Sequence, residues 1–180
     1  MKKIFLLVLL VSALSGYAQT QVGSPAAGDS SLQAFLARWE ECITRFINGD
    51  PTLWKQNASH RDDVTIFGAF GGHEKGWKEV GPRYDWASSQ FKESGAKVRV
   101  EYLNSGVDGG LAFTVTIERE QVRLADQNGL APRALRVTQI FRKEDGAWKL
   151  LHRHADPLID KKAPPTVSLL QNPADAFRHR

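Results

Sequence analysis

The sequence predicts an α+β fold in which a curved antiparallel sheet wraps around three N-terminal helices, giving a cone with an internal pocket. Three observations carry this expectation. Apolar residues recur at helical spacing in the first half of the chain, four alternating apolar runs fill the second half, and tight-turn sequences separate those runs. Strands with one apolar and one polar face pair antiparallel and need a covering layer, which the helices supply.

The first 18 residues read as a secretory signal, with Lys2 and Lys3 ahead of an apolar run from Ile4 to Val11 and small residues closing at Gly16-Tyr17-Ala18. That run falls short of the about 20 residues a spanning helix needs, so the mature form is expected to lack a membrane span. Cleavage near Ala18 would leave an exported protein, periplasmic or secreted. Residues 19–30, rich in Gln, Gly, Ser, Pro and Ala, read as a flexible leader, and residues 31–157 as one domain. Residues 158–180, with Lys161-Lys162 and Pro164-Pro165, read as a poorly ordered tail. The net charge of +4 includes Lys2 and Lys3, and the remaining charges are interleaved. Without a basic block or aromatics set among basic residues, no nucleic-acid partner is expected. Cys42 is the single cysteine, so no internal disulfide can form, and its place on an apolar stripe reads as a buried small hydrophobe.

Leu32, Phe35, Leu36, Trp39, Ile43, Phe46 and Ile47 predict a long first helix ending at Gly49. Asp50-Pro51 offers a cap and a first-turn proline for a short second helix over 52–56 that turns Leu53 and Trp54 inward. Asp62-Asp63-Val64-Thr65-Ile66-Phe67 starts a strand, and Gly71-Gly72 turns a hairpin back toward His73. A third helix presents Trp77, Val80, Tyr84, Ala87 and Phe91 on one face, with a kink or restart at Pro82 and a stop at Ser94-Gly95. Four strands follow on the stripes Val98-Val100-Tyr102, Leu111-Phe113-Val115-Ile117, Leu135-Val137-Gln139-Phe141 and Trp148-Leu150-His152-His154. Asp108-Gly109-Gly110 and Glu144-Asp145-Gly146 are hairpin turns, and 127–132 is a wider connection.

The order of elements, the Gly49-Asp50 after the first helix, the Asp62-Asp63-Val64-Thr65 strand start and the final Gly146-Ala147-Trp148-Lys149-Leu150-Leu151-His152 resemble the nuclear transport factor 2-like superfamily. Within it the chain is most similar to SnoaL-like domains over roughly 31–157, through Gly76-Trp77-Lys78-Glu79-Val80, Asp85-Trp86-Ala87 and Leu135-Arg136-Val137-Thr138 together with His152-Arg153-His154-Ala155-Asp156-Pro157. The resemblance implies a cone with a pocket between sheet and helices, and a superfamily holding isomerases, cyclases, dehydratases, kinase association domains and proteins without catalysis. Fold alone does not choose among them. The steroid isomerases of that superfamily carry their base five residues past the second aspartate of a comparable strand start, which is Gly68 here. Their donor tyrosine falls on Cys42. A glycine abstracts no proton and a neutral thiol is a weak donor, so that mechanism lacks both parts.

His152 and His154 are the sharpest site residues, because alternation continues the Trp148-Leu150 stripe into two imidazoles. They could bind a ligand's polar end, shuttle a proton or answer a structural hydrogen bond. A metal would need a third ligand from His73, His60, Asp62 or Asp156, none at diagnostic spacing, so no metal and no cofactor is assigned. Asp62 and Asp63 point apart on a strand and read as a turn cap, and Gly71-Gly72-His73 lacks the strand-to-helix phosphate fingerprint, leaving His73 as a rim residue. Trp39, Trp54, Tyr84 and Trp86 are core aromatics or ligand-stacking groups, Trp86 standing off the inner face. Arg136, Thr138 and Arg142 face outward, toward solvent or a second copy, unless a bulge reverses the register. Asn57-Ala58-Ser59 matches a glycosylation acceptor.

The sequence therefore predicts an exported cone-fold protein that binds an unidentified small, partly apolar molecule through His152, His154, Tyr84, Trp86, Trp54 and His73. Two alternatives stand beside it. One is an isomerase, cyclase or dehydratase using His152 or His154 as general acid or base; the other is a non-catalytic module forming a homodimer through the outer sheet face.

Overall fold

A computed structural model of the protein describes residues 29–160. The signal, most of the leader (19–28) and most of the tail (161–180) lie outside the described residues.

Helix α1 (Ser30–Phe46) starts inside the stretch expected to be a leader, because Asp29 caps it. The Asp29 carboxylate accepts from the Ser31 amide at 2.8 Å and the Leu32 amide at 3.2 Å. The Ser31 hydroxyl and these amides hold that carboxyl down at about 2. Its buried face, Leu32, Phe35, Leu36, Trp39, Cys42, Ile43 and Phe46, is the stripe expected from spacing. Fully burying a large apolar side chain contributes about 1.5–3 kcal/mol, so this face outweighs helix propensity in fixing α1. Helix α2 (Thr52–Asn57) begins where Asp50 accepts from the Thr52 amide at 2.9 Å, and it buries Trp54 against Trp39, ring centroids 4.5 Å apart.

Strands β1 (Thr65–Phe67) and β2 (Glu74–Lys75) form the expected hairpin, with Gly71 and Gly72 at φ 80° and 77° between them. Helix α3 (Trp77–Ser89) runs through Pro82 without a restart, losing only the bond that residue would have given the Lys78 carbonyl. It stops five residues before the expected Ser94. Phe91 fits a helical stripe by spacing, yet it belongs to β3 (Phe91–Lys92), which pairs with Leu124 and Arg123.

The four long strands are β4 (Arg99–Asp108), β5 (Leu111–Leu124), β6 (Ala131–Glu144) and β7 (Ala147–Pro157), joined antiparallel in sequence. The sheet order is β2-β1-β7-β6-β5-β3, with β4 also on β5, and β1 lies parallel to β7. Asp145 at φ 50° and Gly146 at φ 81° make the two-residue turn into β7.

Two registers decide which side chains enter the cone. In β5 the inward set is Ala112, Thr114, Thr116, Glu118, Glu120 and Val122, while the apolar stripe Leu111, Phe113, Val115 and Ile117 lies on the outer face. In β7 a bulge at Leu151 shifts the pairing from Phe141↔Leu150 to Ile140↔His152. Trp148 and Leu150 stay inside, then Arg153 and Ala155 take the inner face. The expected continuation of the Trp148-Leu150 face into His152 and His154 is therefore corrected, since one extra residue turns both histidines outward.

Candidate functional site

A cavity of about 60 Å³ lies between α1, α2, α3 and the concave sheet. That is room for several waters, and a ring-sized body would have to extend through the open outer end. Its apolar wall is Ile43, Phe46, Ile47, Ile66, Phe91 and Ala155. The deep end carries Trp54, Tyr84, Glu118 and Arg153, all buried. The outer end carries Phe70, Arg83 and Arg133, which are partly exposed, so the cavity reaches the surface beside the β1–β2 loop.

Arg153 and Glu118 form a bidentate pair, Nη1 donating to Oε1 at 2.8 Å and Nη2 to Oε2 at 2.6 Å. Burial works against the guanidinium charge and Glu118 more than restores it, so Arg153 is firmly cationic. The surrounding network orients the Gln139 amide so that its oxygen accepts from Arg153 Nη1 at 2.9 Å and from the Trp39 indole at 2.8 Å. The guanidinium also lies 5.2 Å from the Trp54 ring centroid. Every charge at this end is matched, and the pair forms a fixed polar floor.

The second pair is incomplete. Arg133 donates through Nε and Nη2 to a single oxygen of Glu120, Oε1, while the buried Oε2 has no hydrogen-bond partner among the described residues. Burial raises the Glu120 carboxyl above its ordinary range, Glu118 adds to that, and Arg133 pulls the other way.

Two further buried polar atoms at the cavity wall, the Tyr84 hydroxyl and the Trp54 indole N–H, make no hydrogen bond of good geometry among the described residues, although the indole N–H lies close enough to the phenol oxygen to act on it electrostatically. The rings pack edge to face with centroids 5.7 Å apart. Burial pushes the Tyr84 hydroxyl up to about 12, partly offset by the Trp54 indole and Arg153, so it is a neutral donor at physiological pH. An unpaired buried donor costs about 1–3 kcal/mol, a penalty that a ligand oxygen or a water at this point would relieve.

Of the residues expected to bind a ligand, Tyr84 and Trp54 line this cavity. Trp86 does not; it is exposed, stacked under Arg83 at 4.2 Å and edge-on to Phe70 at 5.6 Å, so it flanks the loop at the mouth. His152, His154 and His73 gather on the outside around Phe67, with ring centroids 5.4, 5.3 and 6.4 Å from it. His152 Nδ1 shares a hydrogen with Thr65 Oγ1 at 2.8 Å, and burial with the neighbouring His154 holds its pKa down. His154 pairs with Asp156 at 3.1 Å. His60 stacks on Trp77 at 3.7 Å, and Asp63 pairs with Arg142, while no group of three metal-ligating side chains occurs among the described residues. Gly68 lines the cavity, and Cys42 is buried with its thiol pushed up to about 12, so neither supplies a base. Asn57 is tied to the Leu53 carbonyl at 2.8 Å beside fully buried Ser59, a poor setting for glycosylation.

Sequence reasoning missed Glu118, Glu120, Arg133 and Arg153. The signal was parity: Thr114, Thr116, Glu118 and Glu120 share one side of β5, opposite the apolar stripe that looked like the core face.

A SnoaL-like domain model matches residues 31–160. No curated protein is similar enough to count as a match. Among solved structures, a nuclear transport factor 2-like superfamily protein from Salmonella enterica serovar Typhimurium superposes with a TM-score of 0.62 at 18% identity, covering 75% of this chain and 94% of that one. A Streptomyces avermitilis protein described as a candidate dehydratase of the same family gives 0.57 at 17% identity, covering 72% and 95%. An uncharacterised Caulobacter vibrioides protein with a cystatin-like fold gives 0.55 at 13% identity, covering 82% and 96%. At these identities the likeness establishes the cone fold.

Proposed function

The chain belongs to the SnoaL-like domain family, and from that premise we propose that its cone cavity binds a small, partly apolar molecule bearing a neutral oxygen acceptor. The apolar wall receives the body, and the oxygen sits against the Tyr84 hydroxyl and the Trp54 indole N–H. The observation that carries this reading is the pair of unpaired buried donors at the wall of one cavity. Export fits a protein whose first residues read as a signal. A reaction at this site would draw its acid or base from Glu120, whose carboxyl burial pushes up, since His152 and His154 face away.

The test compares acetophenone with ethylbenzene, which has the same ring and carbon count without the carbonyl. The wild-type protein is expected to bind acetophenone about tenfold more tightly, and Tyr84→Phe to remove most of that preference. Equal affinity for both probes in the wild-type protein would sink the assignment.

A second reading, assembly into a homodimer, draws on the outer sheet face, where Leu103, Leu111, Phe113 and Ile140 are exposed at 57%, 49%, 39% and 36%. Light scattering should give a dimer that Leu103→Lys converts to monomer; a wild-type monomer at high concentration contradicts it.

A further inference from the structure

The mouth of the cavity offers a chemistry different from the deep end, and its use rests on the reading that the cavity holds a ligand. Arg133 spends two of its five N–H donors on one oxygen of Glu120. Its Nη1 has no hydrogen-bond partner among the described residues, and 23% of the side chain is exposed. The guanidinium lies 4.7 Å from the Phe91 ring centroid and 5.8 Å from that of Phe70, both cavity-lining rings. A guanidinium packed on aromatic rings with an open edge is the arrangement that takes a carboxylate or sulfonate from solution.

An incoming anion would meet Glu120 on the same guanidinium. The other charged groups around Glu120 cannot absorb the conflict. Glu118, on the same strand, and Arg153, on β7, are closed on each other. From α3, Arg83 is held by Glu74 at 3.3 Å and by the Gly71 carbonyl at 2.7 Å. Lys97 and Arg119 border the outer cleft that Glu120 and Arg133 also line, and Arg119 is bonded to Glu101. The neighbouring α1, its C-cap Ile47 and β3 contribute only apolar groups to the cavity wall, Ile43, Phe46, Ile47 and Phe91. Glu74 and Glu120 each keep a buried oxygen without a partner among the described residues, and of the two only Glu120 is bonded to Arg133 itself, so the proton goes there.

We propose that Arg133 docks the head of an amphiphilic organic monoanion, a carboxylate or sulfonate on an apolar body lying in the cavity, and that Glu120 takes up one proton from solvent as the anion binds. The proton goes to Oε2, Glu120 becomes neutral, and Arg133 exchanges one anionic partner for another. The buried setting of Glu120 already favours its neutral form, which lowers the cost of that uptake. The ligand class sharpens accordingly to small aromatic or aliphatic acids, and the site binds them more tightly as pH falls.

Isothermal titration calorimetry with phenylmethanesulfonate tests this, because the sulfonate stays ionised and any pH dependence belongs to the protein. Titrations in two buffers of different ionisation enthalpy should show about one proton taken up per anion near neutral pH, with affinity rising about tenfold per unit fall in pH. Glu120→Gln, which mimics the neutral carboxyl, should bind without proton uptake and without the pH slope. Arg133→Gln, folded by circular dichroism, should lose the anion. Binding without proton uptake in the wild-type protein overturns the coupling, and undiminished affinity in Arg133→Gln overturns the docking point. Acetophenone binding without sulfonate binding overturns the anion site while leaving the cavity reading intact, and binding of neither probe overturns both.

Discussion

Glu118 and Glu120 stand two residues apart on the inner face of β5, each against an arginine, yet they form unlike sites. Glu118 holds Arg153 with both oxygens, inside a network that Gln139 and Trp39 complete. Glu120 holds Arg133 with one oxygen and leaves the other idle, against an arginine that is partly exposed. Composition is the same in both pairs. What differs is the supply of neighbours that satisfy each atom, and this separates a fixed floor from an adjustable rim.

Removing one arginine at a time breaks the comparison most strongly. Arg153→Met strands a buried carboxylate and is expected to cost about 3–5 kcal/mol in urea unfolding. Arg133→Met should cost less, about 1–3 kcal/mol, since Glu120 is buried but already pushed toward its neutral form and can take a proton. Equal losses would mean that the two pairs are energetically alike.

A smaller effect lies in pH. The Glu120 carboxyl is raised in the folded protein above its ordinary 4.5, so the unfolded chain releases this proton first as pH rises. Its contribution is therefore fully present below about pH 4.5 and is lost as pH rises through the folded value. Asp50 and Asp63 run the opposite way, because Thr52 and Arg142 respectively hold them down, so absolute stability mixes both trends. The difference between wild type and Glu120→Gln isolates the term. It should move against the wild type as pH rises above about 4.5 and through the folded value, and be flat below that range.

Much of the cone was legible because spacing alone separates the α1 face from the strands, and because Gly71-Gly72 and Asp145-Gly146 can hardly be anything but turns. The deep aromatics Tyr84 and Trp54 were legible for the same reason, as inner positions of helices. The two histidines were misplaced by one residue. Leu150 and Leu151 are both apolar, so alternation gives no sign of which one bulges, and the backbone pairing with Ile140 and Phe141 decides it. The glutamates stayed hidden for a different reason. Hydrophobic parity assigns Leu111, Phe113, Val115 and Ile117 to a core, whereas in this sheet that stripe faces out and Thr114, Thr116, Glu118 and Glu120 line the concave side. Parity reads alternation well, and it carries no label for inside when both faces are partly apolar.

The most direct test of the cavity assignment watches the Trp54 indole N–H by nitrogen-15 NMR, its signal identified by loss in Trp54→Phe. Saturating acetophenone should shift that proton downfield as it gains an acceptor, and ethylbenzene should leave it near its free position. A signal that ignores acetophenone while other cavity residues respond would contradict the account.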